Sequence, residues 1–167
     1  MKLIRKTILP VMILLVCLLS ACGNSAGDGD KSGAETSSNT GTLSNETTAL
    51  VIEAGGRTFY ADLEDNSSAE AFRDKLDSEA LEVDLHDYGN FEKVGPLPFA
   101  LPTNDEQITT EPGDVILYQG DQITIYYDVN TWSFTRLAKI DNVTKEELLE
   151  TLGNGDVTVR FYLEWSE

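Results

Sequence analysis

Apolar and polar residues alternate with period two along three stretches of this chain. Phe59, Ala61 and Leu63 alternate with Thr58, Tyr60 and Asp62. Ile123, Ile125 and Tyr127 alternate with Thr124, Tyr126 and Asp128. Val157, Val159, Phe161, Leu163 and Trp165 alternate with Thr158, Arg160, Tyr162 and Glu164. Successive side chains of an extended strand point to opposite faces, so each stretch predicts a strand with one buried and one wet face. Leu50–Ala54 joins the first strand through Gly55-Gly56, a two-residue turn whose positions both accept positive φ. Val115–Tyr118 joins Ile123–Tyr127 across Gln119-Gly120-Asp121-Gln122 in the same manner. Two helices are also signalled. The first runs from Ser67 to Leu76, with Ser67 and Glu70 spaced as a capping box and Ala69, Phe72 and Leu76 on one face. In the second, Thr144 and Glu147 make the box, Val143 and Leu148 the staple, and Gly153 the stop, with Leu148, Leu149 and Leu152 as its buried stripe. Many antiparallel strands with two short amphipathic helices predict a mainly β fold: a closed barrel whose ends the helices plug, leaving no strand edge exposed.

The beginning of the chain follows another pattern. Lys2, Arg5 and Lys6 precede an apolar run from Ile8 to Leu19, which ends in Leu19-Ser20-Ala21-Cys22. A basic start, a short apolar core and small residues before a cut are the parts of a secretory signal. A membrane span needs about 20 apolar residues; this run is shorter and contains Pro10. The pattern resembles the signal of a bacterial lipoprotein, which implies removal of residues 1–21 and lipid on the sulfur of Cys22. The expected location is extracytoplasmic, on a cell membrane through that lipid anchor. Residues 23–48 are rich in Gly, Ser, Thr, Asn and Ala and hold almost no large apolar side chain. Such a segment cannot bury enough surface to offset chain ordering, so 22–48 reads as the lipidated cysteine and a flexible tether. Asp28, Asp30, Ser32 and Gly33 echo the start of a calcium loop, but Asn39 stands where its closing acid belongs. Residues 49–167 then form one domain.

Charge narrows the partners. The chain has 12 Lys+Arg against 29 Asp+Glu, a formal net charge of -17. Losing Lys2, Arg5 and Lys6 with the signal leaves 9 bases against 29 acids, or -20. Such a field repels phosphate backbones, so no nucleic-acid partner is expected. The acids are spread rather than clustered, which reads as solvation of an exported head. Cys17 also leaves with the signal. A lipidated Cys22 then leaves no thiol chemistry, disulfide or cysteine metal site, and with one histidine neither metal nor cofactor is expected. That histidine, His86, is opposite in phase to Leu81, Val83 and Leu85, so it faces solvent and reads as a surface residue rather than a triad base.

Several pieces, in order, resemble the small bacterial cyclophilin-like domains. They are Gly55-Gly56-Arg57-Thr58-Phe59, Asn66 through Phe72, Tyr88-Gly89-Asn90-Phe91-Glu92-Lys93 and Leu97-Pro98-Phe99-Ala100-Leu101-Pro102. They continue in Pro112-Gly113-Asp114-Val115-Ile116-Leu117-Tyr118, Thr135-Arg136-Leu137 and Ile140-Asp141. The resemblance covers residues 50 to 163 and implies a cyclophilin-type barrel of eight strands with two helices. It implies less about activity, because fold does not fix function. The Phe-His-Arg, Phe-Met-x-x-Gly-Gly and Trp-Leu segments of prolyl-isomerising cyclophilins are missing, so their site residues do not carry over one by one.

Two constellations are candidates for a ligand groove. Trp132, Phe134 and Arg136 share a face at period two, and an arginine beside two rings suits an anionic or amide-bearing ligand. The alternative is a surface where Arg136 pairs with an acid and the rings cover apolar area. Tyr88 to Pro102 adds Tyr88, Phe91, Glu92, Pro98 and Phe99; proline-rich apolar loops often line grooves, or else pack over a barrel mouth. The preferred reading is a non-enzymatic module that binds a peptide or small molecule between these segments. The competing one is a surface peptidyl-prolyl isomerase in which Arg136 stabilises the twisted amide.

Overall fold

The computed structural model describes residues 47–166. The signal, Cys22 and the tether up to residue 46 lie outside the described residues. Among the described residues the elements run β1 (Thr47–Ala54), β2 (Arg57–Leu63), α1 (Ser67–Leu76), β3 (Leu81–Tyr88), β4 (Glu92–Pro96) and β5 (Glu106–Thr109). They continue with β6 (Asp114–Tyr118), β7 (Gln122–Tyr126), β8 (Thr131–Ile140), α2 (Lys145–Leu152) and β9 (Val157–Ser166). Strands β2, β1, β9, β3, β4, β7, β6 and β8 are antiparallel neighbours in that order, and Ala61–Leu63 of β2 pairs with Ala138–Ile140 of β8 to close the ring. The result is the expected closed eight-stranded barrel with two helices. β5 stands outside the ring, paired with Thr131–Phe134 at the start of β8.

The turns explain the register. Gly55 and Gly56 take φ of 54° and 79°, so Ala54 pairs directly with Arg57. A Cβ on Gly55 would lie 2.2 Å from the Thr151 carbonyl oxygen, because α2 packs against this turn. Inside the barrel, Leu50, Ile52, Leu85, Val115, Leu117, Ile123, Ile125 and Phe161 form one buried cluster. Phe72 and Leu76 of α1 join it, as do Leu148 and Leu152 of α2. Phe72 meets Phe161 edge-on at 6.0 Å. Burying such a ring contributes about 1.5–3 kcal/mol, which fixes α1 to the barrel.

Three local expectations change. The cap of α1 is Asn66, whose side chain accepts from the Ser68 and Ala69 amides, so Ser67 is the first helical residue and no box forms with Glu70. The Thr144–Glu147 box of α2 is formed as expected. Trp165, in phase with the inward residues of β9, is 54% exposed. Beyond Phe161, β9 no longer pairs with β3, so among the described residues β1 alone accompanies its end and leaves Trp165 uncovered.

The third change creates the site. Thr124 and Tyr126, expected on the wet face of β7, are both buried. Ile116 of β6, Tyr126 of β7, Phe134 of β8 and Ile108 of β5 form a second cluster, with Phe91 and Tyr118 packed against it. By alternation it lies on the outer side of the wall, opposite Val115, Leu117 and Ile125. A β-bulge helps. Val115 pairs with Ala138 but Ile116 with Arg136, so Leu137 and Ala138 both turn inward while Phe134 stays outside.

Candidate functional site

The outer cluster floors a cleft of about 380 Å³ across β3, β4, β7, β6 and β8. Its framing begins at the turn after β3, where Gly89 and Asn90 have φ of 63° and 59°. A Cβ on Gly89 would fall 2.2 Å from Phe91 Cε1, so the missing side chain lets that ring fold back over the wall. The Phe91 ring stacks on Tyr126 at 6.0 Å, and Tyr88 meets Phe91 edge-on at 6.1 Å. Tyr126 then touches Phe134 at 5.6 Å, and Phe134 meets Tyr118 at 6.2 Å. Each such pair contributes about 0.5–1.5 kcal/mol beyond burial, so five rings hold one another as a rigid surface. Trp132, 60% exposed, lines the same cleft.

One carboxyl lies among these rings. Glu92 starts β4 opposite Tyr88 on one side and Tyr126 on the other. It is 7% exposed, lines the cleft, and its Oε2 has no hydrogen-bond partner among the described residues. Burial pushes its carboxyl above the usual range, against the opposing pull of the Tyr126 hydroxyl and of His86. Burial, with Glu92 next to it, also pushes the Tyr126 hydroxyl up. Asn130 Nδ2 donates to that hydroxyl at 3.4 Å. An apolar cleft with a few convergent polar groups is the usual make-up of a small-ligand site.

The candidates divide between this cleft and other places. Tyr88, Phe91, Glu92, Trp132 and Phe134 all line it. Pro98, Phe99 and Arg136 do not. The segment carrying Pro98 and Phe99 is tied to the β6–β7 turn by Leu97 N–H to Asp121 O and Leu101 N–H to Gly120 O, both 2.8 Å. Phe99 packs against the inner core with Lys75 Nζ 5.3 Å from its ring centre. Arg136 has the phase of Trp132 and Phe134, but its Nη2 donates to Asp114 Oδ2 at 3.2 Å and its Nη1 lies 3.8 Å from Glu64. Asp114 is buried and also accepts from Lys139 Nζ at 3.0 Å, so it holds both cations away from the rings. His86 is exposed, as its phase predicts, and borders the cleft.

Val94, Tyr118, Gln122, Tyr126 and Asn130 also line the cleft and were not indicated by the sequence patterns. A signal existed for two of them: Tyr118 and Tyr126 are large rings placed on faces that alternation assigns to water. Among the described residues, no group of three or more His, Cys, Asp or Glu is placed to hold a metal ion.

Eight antiparallel strands closed on themselves, helices at the ends and an aromatic cleft on the outer wall define a small closed-barrel domain of cyclophilin type. Residues 52–162 match the model of the Cyclophilin-like family, and the chain belongs to that family. No curated protein matches the chain. A solved structure, that of McbB in complex with tryptophan, is similar over 70% of this chain and 44% of that one, with 16% identity and a TM-score of 0.46. The chain therefore spans less than half the length of that protein.

Proposed function

We propose that this cyclophilin-like domain is a non-enzymatic binding module, carried on the extracytoplasmic side of a membrane by lipidated Cys22, that takes a peptide or small ligand in the outer-wall cleft. The observation that carries the reading is the cleft itself: a fixed chain of rings around one buried carboxyl whose Oε2 lacks a partner. A buried acceptor left unpaired costs about 1–3 kcal/mol, more when charged, and a ligand donor recovers part of that. The isomerase alternative assigned the chemistry to Arg136, whose guanidinium faces Asp114 and Glu64 instead of the rings. Binding without turnover is thus the better supported of the two.

Titration with a panel of short aromatic and proline-containing peptides, read by tryptophan emission, tests the module. A member of the panel is expected to shift the emission, and the shift should vanish in Trp132→Phe, where Trp165 remains as an internal control. No response from the whole panel at millimolar concentration counts against a peptide ligand. A proline-peptide isomerisation assay decides the alternative: acceleration that disappears in Arg136→Ala would replace the binding reading with the catalytic one.

A further inference from the structure

The rings and the carboxyl of the cleft carry a narrower conclusion than binding alone. Among the described residues no lysine or arginine lines the cleft, so an anionic ligand would meet Glu92 with no lysine or arginine to balance it. Lys93, the next residue, points into the barrel, where its Nζ donates to Gly155 O at 2.8 Å and contacts Asp87 at 2.9 Å. Among the described residues, Glu92 is therefore a buried acid that no lysine or arginine pairs. Around it stand the faces and edges of aromatic rings, whose negative π-faces attract ammonium groups. The chain as a whole carries a formal net charge of -17, which draws cations toward any cleft it contains.

We propose that the cleft selects a small organic cation bearing N–H donors, a primary ammonium on an aromatic or alkyl body, with the ammonium hydrogen-bonded to Glu92 and the body against the rings. The inference rests on the binding reading above and supplies its ligand class. A quaternary ammonium would satisfy the rings but leave Oε2 unpaired. A neutral amine or amide would satisfy Oε2 but gain nothing from the charge. A primary ammonium does both, and a cleft of about 380 Å³ has room for a molecule of a few to a dozen heavy atoms rather than a folded partner.

The pairing has a pH signature. Titratable groups face Glu92 from each neighbouring strand: His86 and Tyr88 on β3, Tyr126 on β7 and Tyr118 on β6. In acid, Glu92 is protonated and offers the cation no countercharge. As pH rises the carboxylate forms, so the cation binds more tightly.

Three probes of one size separate the possibilities by calorimetry or Trp132 emission on the intact protein: phenethylamine, phenethyl alcohol and phenylacetate. Phenethylamine is expected to bind about tenfold or more tighter than the alcohol, and phenylacetate weakest, since charge-assisted bonds are about twice as strong as neutral ones. Glu92→Gln, nearly isosteric, should erase the preference for the amine while leaving alcohol binding intact. In the unaltered protein, amine affinity should rise with pH as the carboxylate forms, while that of the alcohol stays flat. Equal binding of amine and alcohol, or tighter binding of phenylacetate, overturns the cation inference and leaves the cleft as a binding site. Amine binding that ignores pH overturns the pairing with Glu92. Failure of all three probes overturns the ligand class, and the peptide panel then decides the binding reading by itself.

Discussion

Glu92 and Asp87 sit five residues apart and respond to pH in opposite directions. Burial holds the Glu92 carboxyl above its usual range, so the folded protein favours the protonated form. The stability this residue contributes is present below its unfolded value and declines as pH rises through the folded one. Glu92→Gln cannot ionise, so its melting temperature should exceed that of the parent more at about pH 8 than at about pH 4 in thermal scans. A gap that narrows with rising pH would contradict the burial argument. Asp87 is also subject to burial, but the Lys93 ammonium and the Tyr127 hydroxyl outweigh it and hold its carboxyl below the usual range. Its contribution is present above the unfolded value and lost as pH falls through the folded one. Lys93 is fully buried, so Asp87→Asn leaves that ammonium with the Gly155 carbonyl and should destabilise the fold by about 2–3 kcal/mol near neutrality. Urea melts of this variant and the parent should draw together as pH falls below the ordinary carboxylate range. Neither environment is written in the local pattern. Glu92 and Lys93 are adjacent charges in sequence, and only the pleat, with one side chain outward and the next inward, gives them opposite fates.

At the scale of the element, local chemistry identified what local chemistry determines. The two helices, the Gly55-Gly56 hairpin and the capping box of α2 depend on contacts within a few residues. The misplacement on α1 has the same origin: Asn66, Ser67 and Glu70 offer two overlapping starts, and a contact 70 residues away favours one. Asn66 Nδ2 donates to the Arg136 carbonyl oxygen at 2.9 Å while its Oδ1 caps the helix. Asn66→Ala should therefore cost about 1–2 kcal/mol in urea denaturation, while Asn66→Ser, which keeps the cap and loses the tie to β8, should fall between. Equal stability of alanine and parent would mean that the cap is dispensable. The outer face of β6 and β7 needed more than periodicity. Thr124 and Tyr126 read as wet because a period-two pattern describes one sheet face at a time, whereas the roof over Tyr126 comes from β5 and from Phe91, distant in sequence. The same holds for Arg136. Its phase beside Trp132 and Phe134 was correct, but its direction is set by Asp114, 22 residues earlier.

At the scale of the molecule, closure decides where a ligand can go. The barrel interior is filled by Leu50, Ile52, Leu85, Leu117, Ile125, Phe161 and their neighbours, and α1 and α2 contribute to the same core. The inside is thus packing, and the proposed recognition falls on the outer wall. Alternation and the turn residues predicted closure, since many antiparallel strands with two amphipathic helices have few other ways to hide their edges. The position of the cleft followed from pairings across the whole chain and was only half predictable. Anchoring, by contrast, depends on the first residues alone. One acyl chain holds a protein to a bilayer marginally, at about 0.8 kcal/mol per buried CH₂, whereas several chains on one residue hold it firmly. Were the proposed signal removed, 9 bases would stand against 29 acids and anionic lipid would repel the head, so no electrostatic contact would supplement the proposed lipid. The proposed attachment therefore rests on Cys22 in an all-or-none way. Cells expressing the parent protein and fed labelled fatty acid should yield a labelled, membrane-bound product. Cys22→Ser should abolish the label and shift the product from the membrane to the soluble fraction, with the thermal stability of the folded domain unchanged. Label retained in that variant would move the lipid elsewhere, and a variant that stays on the membrane without label would mean that the run from Ile8 to Leu19 is kept as an anchor.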